Sequence, residues 1–408
     1  MPRVMLLMSS NTYRARAFLE AARAAGIEVV VGTDREPVFA TANPEGLLAL
    51  ELANPLAAAA AAVALHARFP LTGVIACDDD ALAAAAAIAA ALELPGSPPA
   101  AVANARDKRR MREVFAAAGL PSPWFEVWPA AADAAWAARS VRFPCVLKPP
   151  ALSASRGVLR ADDASEFAAA FRRVAHVLDD AGLAGEDAEI LVEEYLPGAE
   201  VAVEGLLTRG ALRVLAIFDK PDPLEGPTFE ETIYVTPSRL EVAGRESAER
   251  MVAAMTGALG LTHGAVHAEV RLNARGCWPV EIAPRSIGGL CSQALRFRDG
   301  ASLEELLLRH AAGEDVSGWL REPGARGVMM IPIPRGGILH GVRGIEQARE
   351  VRGIDDVRVT IPVGHAVVPL PEGNRYLGFL FAHGARPDDV EASLRRAHEH
   401  LDFEIHTE

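Results

Sequence analysis

Apolar runs alternate with helix-like stretches along the first hundred residues. Val4–Met8 is an apolar run, Tyr13–Ala25 reads as a helix, and Ile27–Val31 is apolar again. Leu56–Arg68, Gly73–Ala76 and Ala81–Leu92 repeat the alternation. Such a succession predicts a parallel sheet flanked by helices, a Rossmann-like α/β domain over residues 1–100. The segment LPGSPPA, 94–100, breaks the pattern with three prolines and a glycine and marks a domain boundary.

After it a charged helix is expected over Asp107–Ala118, closed by Gly119 and the Pro121/Pro123 pair. A strand Cys145–Lys148, a small-residue loop Ala151–Gly157, a helix Ala164–Leu178 and a strand Glu189–Glu193 follow. From Gly324 the pattern changes. Short strands Val328–Ile331, Val357–Ile361 and Tyr376–Ala382 flank helices Gly344–Val351 and Arg386–Leu401, an α+β module of about 85 residues. The fold class is α/β and α+β, with divisions at 1–100, 101–320 and 321–408.

Composition narrows the function. The 408 residues are 50% hydrophobic and carry 41 Lys+Arg against 54 Asp+Glu, so the net charge of −13 argues against a nucleic-acid partner. The alanine runs Ala57–Ala62 and Ala83–Ala87 fall far short of the roughly 18 strongly apolar residues of a membrane helix. The opening MPRVMLLMSSNTYR has no cleavage-site pattern, so a cytoplasmic protein without membrane partners is expected. Cys77, Cys145, Cys277 and Cys291 have no metal-ligand spacing and read as buried free thiols.

The first turn, Ser9-Ser10-Asn11-Thr12, lacks the glycines that bring backbone close to a pyrophosphate, which argues against nicotinamide binding and leaves Asp34 as a turn or cap residue. Gly264–Arg285 is more informative. A three-residue loop Ala274-Arg275-Gly276 would make Asn273 and Cys277 the closing pair and set Glu269 opposite Glu281. Val266, Ala268, Val270 and Leu272 would then share a face with Trp278, Val280 and Ile282, leaving His267, Glu269, Arg271 and Glu281 on the other. Two facing carboxylates repel unless a cation sits between them: either a divalent metal such as Mg²⁺, or Arg271 and Arg285 on a solvated hairpin face.

Lys148 closes an apolar strand, where its ammonium meets either an anion or solvent. The loop Ser153-Ala154-Ser155-Arg156-Gly157 is small enough to bring N–H groups and hydroxyls against phosphate oxygens, or is simply a turn. In Ile190–Leu206 a strand ends at Glu193, turns at Pro197-Gly198 and restarts at Glu200, like an ordinary hairpin connection.

The ordered set, comprising a helical lysine, a strand lysine, a small-residue loop, E-E-Y-L-P-G-x-E and H-x-E followed by E-I-x-P-R, resembles the ATP-grasp superfamily over about residues 100–310. The resemblance implies a two-lobed core with its small lobe at about 101–193. It implies ATP as cofactor with Lys108 and Lys148 on its phosphates, and a loop carrying Ser153, Ser155 and Gly157 closing over them. Glu193, with the backbone of Glu194 and Leu196, would hold adenine, and Glu200 the ribose. Glu269 and Glu281 would bind Mg²⁺ or Mn²⁺, and Arg285 would steady the transferring phosphoryl group.

Two positions depart from the family pattern. Ala283 stands where an asparagine ligand is common, which leaves the number of metal ions open, and the phosphate loop has a single glycine, Gly157. The C-terminal module and the segment Phe218–Leu240 resemble the L-amino-acid ligases, including the bacilysin-type dipeptide ligases. That likeness implies Glu231 at the amino group of a substrate, Tyr234 where dipeptide ligases can carry histidine, and Gly288 and Gly289 beside the substrate. Glu231 also reads as a surface acid beside Glu230.

The expected activity is carboxylate–amine ligation through an acyl phosphate, with small-molecule partners and a homodimer left open. A carboxylation or purine-pathway ligase and a non-catalytic nucleotide-binding regulator are the alternatives.

Overall fold

A computed structural model describes residues 1–407 except 11, 36–42, 44 and 186. Asn11 of the first turn therefore lies outside the described residues. The N-terminal region forms a parallel four-stranded sheet in the order Leu47–Ala49, Glu28–Thr33, Arg3–Met8, Gly73–Ala76. Helices Ala15–Ala25, Pro55–His66 and Leu82–Ala91 accompany it, as the alternation predicts. Only the edge strand Leu47–Ala49 escaped the pattern, because three residues give no measurable period. Asp34 is a turn residue: its carboxylate accepts the Ser10 N–H at 2.7 Å and the Thr33 hydroxyl at 3.2 Å.

A second sheet of four antiparallel strands runs Phe125–Pro129, Glu189–Glu194, Cys145–Lys148, Leu159–Ala161. Helix Ala164–Asp180 buries Phe167, Phe171 and Val174 against it. The third sheet has eight strands in the order Gly276–Ala283, Gly264–Asn273, Ala199–Thr208, Ala211–Asp219, Ile233–Thr236, Ala325–Ile331, Gly378–Gly384, Ile354–Val359. Three of its strands follow residue 320, so the sheet runs through the expected division at 320/321. The cause is Ile233–Thr236, which pairs antiparallel with Ala325–Ile331. Only the short sheet Ala366–Val367, Gly337–Arg343, Asp402–His406 stays wholly within the C-terminal module.

Helix Lys108–Ala117 starts at Asp107, whose side chain accepts the N–H groups of Arg109 and Arg110. Its Met111 and Phe115 are buried with Val201, Val203, Val266 and Val270 of the large sheet, so this helix packs on the large lobe although it precedes the small one. Glu189–Glu194 and Ala199–Thr208 do not form a hairpin; they belong to different sheets, and 195–198 is the link between the lobes. Gly198 has φ +123°, and a Cβ there would lie 2.3 Å from the Leu272 carbonyl oxygen, so only glycine lets the link approach the sheet. Among the described residues, no helix is long and apolar enough to cross a membrane. All four cysteines are buried and free, as expected.

Candidate functional site

The hairpin Gly264–Ala283 supplies the centre of the site. Glu269 does pair with Glu281, but by another route than the sequence suggests. The closing pair is Asn273 and Gly276, leaving only Ala274 and Arg275 in the loop, and the one-residue difference is absorbed by a bulge at Val280. The bulge corrects the expected faces. Cys277 joins the core with Val266, Ala268 and Val270. Trp278 instead pairs with Arg271 and lies under the Arg275 guanidinium, 4.6 Å from its centre. Val280 lines the cleft and gives its carbonyl to Arg112 at 2.9 Å.

Two cavities meet at this carboxylate pair. One, about 690 Å³ with its mouth, lies between the lobes and is lined by Lys108, Lys148, Ser155, Glu193, Leu196 and Glu200 among others. The second, about 1430 Å³ with its mouth, reaches from the pair to the N-terminal region and is lined by Tyr13, Asp78, Tyr234, Arg285, Gly288 and Gly289 among others. Ser155, Glu231, Glu269 and Glu281 line both.

At the first cavity the buried charges are compensated. Glu193 is gripped by Lys148 and by Arg112, whose Nε lies 2.9 Å away. Burial alone would raise its carboxyl, but the two cations outweigh it and bring it down to about 2. Burial lowers the Lys148 ammonium, partly offset by Glu193. The Glu193 carboxylate expected at adenine is therefore committed to these two cations, and the edge open to a base is that of the link itself. The Leu196 carbonyl accepts from Arg271, while its N–H has no acceptor among the described residues. Glu194 pairs with Arg275 at 2.9 Å. Glu200 accepts from Arg271 and Lys220, each at 2.7 Å.

Ala154, Ser155 and Gly157 all take left-handed φ, at 56°, 54° and 73°. Two non-glycine residues in that region is an uncommon expense. The loop is anchored from the C-terminal module: the Gly157 N–H donates to the Pro371 carbonyl at 2.9 Å and Arg156 Nε to the Glu372 carbonyl at 2.9 Å.

Where the cavities join, Lys108 Nζ donates to the Leu152 carbonyl at 2.7 Å and lies 3.2 Å from Glu281. Glu269 lies 2.9 Å from Lys220 Nζ and 3.6 Å from His267 Nε2. Glu231, half-buried, also contacts Lys220 and is not a free surface acid. Burial raises the Glu231 carboxyl to about 7 despite Lys220, with the neighbouring Glu269 adding to the rise. Glu269 itself is held well below the usual carboxylate range, because Lys220 and His267 outweigh burial. Burial opposes the charge on His267, but Glu204 and Glu269 raise it to about 9, so the ring is a cation at neutral pH. Arg285 is held in a two-pronged pair by Asp79 of the N-terminal region at 2.7 and 2.8 Å. Tyr234 is almost fully buried on the wall of the second cavity.

The structure thus gathers the expected site residues other than Gly157 along the two cavities. It adds Arg112, Lys220, Asp79 and the Pro371–Tyr376 segment, which sequence reasoning missed. Two of these carry a legible signal. Lys220 follows the apolar run LAIF and Asp219 much as Lys148 closes CVL, and Asp78–Asp80 follows the end of a parallel strand, where α/β sheets place ligands. Glu269 and Glu281 are hard oxygen donors facing each other at the junction, a donor set that fits Mg²⁺ or Mn²⁺.

Comparison with known proteins matches all three regions. Residues 19–96 match the ATP-grasp N-terminal domain, 141–294 the ATP-grasp domain and 329–406 the L-amino acid ligase C-terminal domain 2. The chain is 25% identical to an L-amino acid ligase from Bacillus licheniformis of known structure, with a TM-score of 0.83 over 100% of this chain and 99% of the other. It is 24% identical over 408 residues to an uncharacterised protein of Sinorhizobium fredii, covering 99% of this chain and 84% of that one. An alanine–anticapsin ligase of Bacillus amyloliquefaciens is 28% identical over 233 residues, 53% of this chain and 49% of the ligase, so the match spans about half of that relative's length.

Proposed function

The chain belongs to the ATP-grasp ligases, and from that membership we propose that it joins a carboxylate to an amine, one of them an L-amino acid, while ATP becomes ADP and phosphate. One observation carries the reading: the Glu269/Glu281 pair stands where the cavity between the lobes opens into the second cavity. A phosphoryl group passed between two ligands has to cross at such a junction. The similarity to an L-amino acid ligase over the full chain and to alanine–anticapsin ligase over part of it supports the substrate class.

In this reading the nucleotide lies between the lobes, its base against the link Glu194–Leu196 and its ribose at Glu200. Lys108, Lys148 and the N–H groups of Ser153, Ala154 and Ser155 face its phosphates. A divalent ion held by Glu269 and Glu281 supplies charge neutralisation at the phosphates when bound. The substrate carboxylate, lying in the second cavity, attacks the γ-phosphorus; the new O–P bond forms as the bond to the ADP oxygen breaks. Arg285, fixed by Asp79, offers its positive charge to the oxygens of the group in transit. Glu231 orients the α-ammonium, with Tyr234, Gly288 and Gly289 shaping the space around the side chain. The second amine then attacks the acyl carbon, phosphate leaves, and the nitrogen loses a proton. The protein contributes position and charge rather than a covalent intermediate.

Release of ADP and phosphate, screened over amino acids singly and in pairs with hydroxylamine as a surrogate amine, tests the proposal. The expected result is Mg²⁺-dependent ADP formation with a hydroxamate product. AMP and pyrophosphate as main products would overturn the mechanism, and nucleotide binding without turnover of any pair would favour a regulator.

A further inference from the structure

Lys220 is placed unlike any other cation of the site. Its side chain is 3% exposed, and it touches three carboxylates at once: Glu200 at 2.7 Å, Glu269 at 2.9 Å, and Glu231. An ammonium group has three N–H donors, so three carboxylates saturate it. One oxygen from each of Glu200, Glu231 and Glu269 lies within 4.8 Å of the others, a spacing at which such a trio could hold a metal ion. The lysine fills that space.

Its backbone is equally fixed. Lys220 follows strand Ala211–Asp219, and Asp219 accepts from the Ser238 hydroxyl at 2.5 Å and from the Arg239 N–H and Nε at 2.9 Å each. The strand end is thereby tied to the segment after Ile233–Thr236, which fixes the point from which the Lys220 side chain starts.

The carboxylates around it serve three different ends of the cleft. Glu200 has a second cation in Arg271, and Glu269 has His267 at 3.6 Å, but Glu231 has no other ion-pair partner among the described residues. Without Lys220, three carboxylates, Glu200 buried and the other two half-buried, would face one another, and they would separate, take up a proton or recruit a cation.

We infer that Lys220 is a positioning residue: a built-in cation that holds Glu200, Glu231 and Glu269 together and denies the space between them to a metal ion, leaving the second Glu269 oxygen to act with Glu281. This rests on the proposed roles of those glutamates, yet its test does not require turnover. Mn²⁺ binding to the nucleotide-free full chain is measured by titration calorimetry for the natural protein, Lys220→Ala, Lys220→Arg, and Lys220→Ala combined with Glu231→Gln.

Lys220→Ala should bind Mn²⁺ at least ~10-fold more tightly than the natural protein. Glu231→Gln should remove that gain, and Lys220→Arg should not show it. A Lys220→Ala protein that folds without gaining Mn²⁺ affinity overturns the inference and makes the lysine a packing element. So does a gain that survives Glu231→Gln, or one that also appears in Lys220→Arg. Should Lys220→Ala fail to fold, added Mn²⁺ is expected to restore folding, and no restoration overturns the inference equally. Failure of the ligase reading would be read separately, as absence of ADP release by the natural protein with every amino-acid pair.

Discussion

The two ends of the cleft treat charge differently. Between the lobes, buried carboxylates have cations to spare: Glu193 has Arg112 and Lys148, and Glu200 has Arg271 and Lys220. Toward the second cavity compensation thins. Glu231 and Glu269 share Lys220, with His267 3.6 Å from Glu269, and among the described residues Asp78 accepts from the Ser9 N–H at 3.3 Å and the Thr12 hydroxyl at 3.0 Å. Burial pushes the carboxyl of Asp78 up accordingly. A region whose charges are matched internally is a frame, while one left shorter of positive charge has room for further cations, which in the proposed function would be a metal ion and a substrate ammonium.

Breaking the frame should have the largest effect. Arg112→Met removes one of the two partners of the buried Glu193 and is expected to cost about 3–5 kcal/mol of stability, read from the urea midpoint. Glu193, at about 2, lies below the ordinary carboxyl value, so its contribution is present at neutral pH and fades as pH falls through about 4 toward 2. An unshifted midpoint would mean that Lys148 alone suffices and that the frame is less tightly matched than the geometry suggests.

At the other end the loss should appear in rate before stability. Glu281→Gln and Glu269→Gln are each expected to lower turnover by ~10²-fold or more at saturating Mg²⁺. Glu281→Gln should leave the urea midpoint nearly unchanged, because its pair with Lys108 is partly solvated. Glu269→Gln deprives Lys220 and His267 of a partner and should lower it. Turnover close to that of the natural protein in both would remove the carboxylate pair from the chemistry.

A smaller effect isolates the substrate ammonium. Glu231→Gln should reduce the ratio of kcat/KM for an amino acid over its des-amino analogue by ~10-fold, the order of one hydrogen bond to a charged group. Equal losses for both substrates would assign Glu231 to the frame.

The smallest test lies away from both cavities' junction. His310 stacks on His263 at 4.3 Å, and burial, helped by His263 and Arg213, lowers its imidazole to about 4. The unfolded chain therefore binds the proton first, so stability should fall as pH drops from about 6.5 and level off below about 4. His310→Gln should flatten that slope in pH-dependent urea titrations; an unchanged slope would place the titrating group elsewhere.

Much of this molecule was legible because period and punctuation are local. Strand–helix alternation identified the parallel sheet, Asp107 and Gly119 bounded a helix, and period-two alternation put Glu269 opposite Glu281. The hairpin also shows how a correct pairing can rest on a wrong loop: a tighter turn and the bulge at Val280 cancel in register. The cancellation still moved Trp278 and Val280 to the other face. The break read at Pro197-Gly198 lies where one strand does end, but whether it joins two strands of one sheet or two lobes depends on partners far along the chain.

By itself the sequence determined the local elements, the spacing of the acidic and basic positions and, through the order of its motifs, the family. Tertiary structure alone decided which charges meet. Lys220 reaches Glu200, Glu231 and Glu269 because the strands Gly264–Asn273, Ala199–Thr208, Ala211–Asp219 and Ile233–Thr236, which Glu231 precedes, lie side by side, and Arg285 finds Asp79 only across the junction with the N-terminal region. The physical reason is range. Backbone periodicity acts over a few residues, whereas a buried ion pair acts over a few ångströms between residues that the chain may separate by two hundred positions.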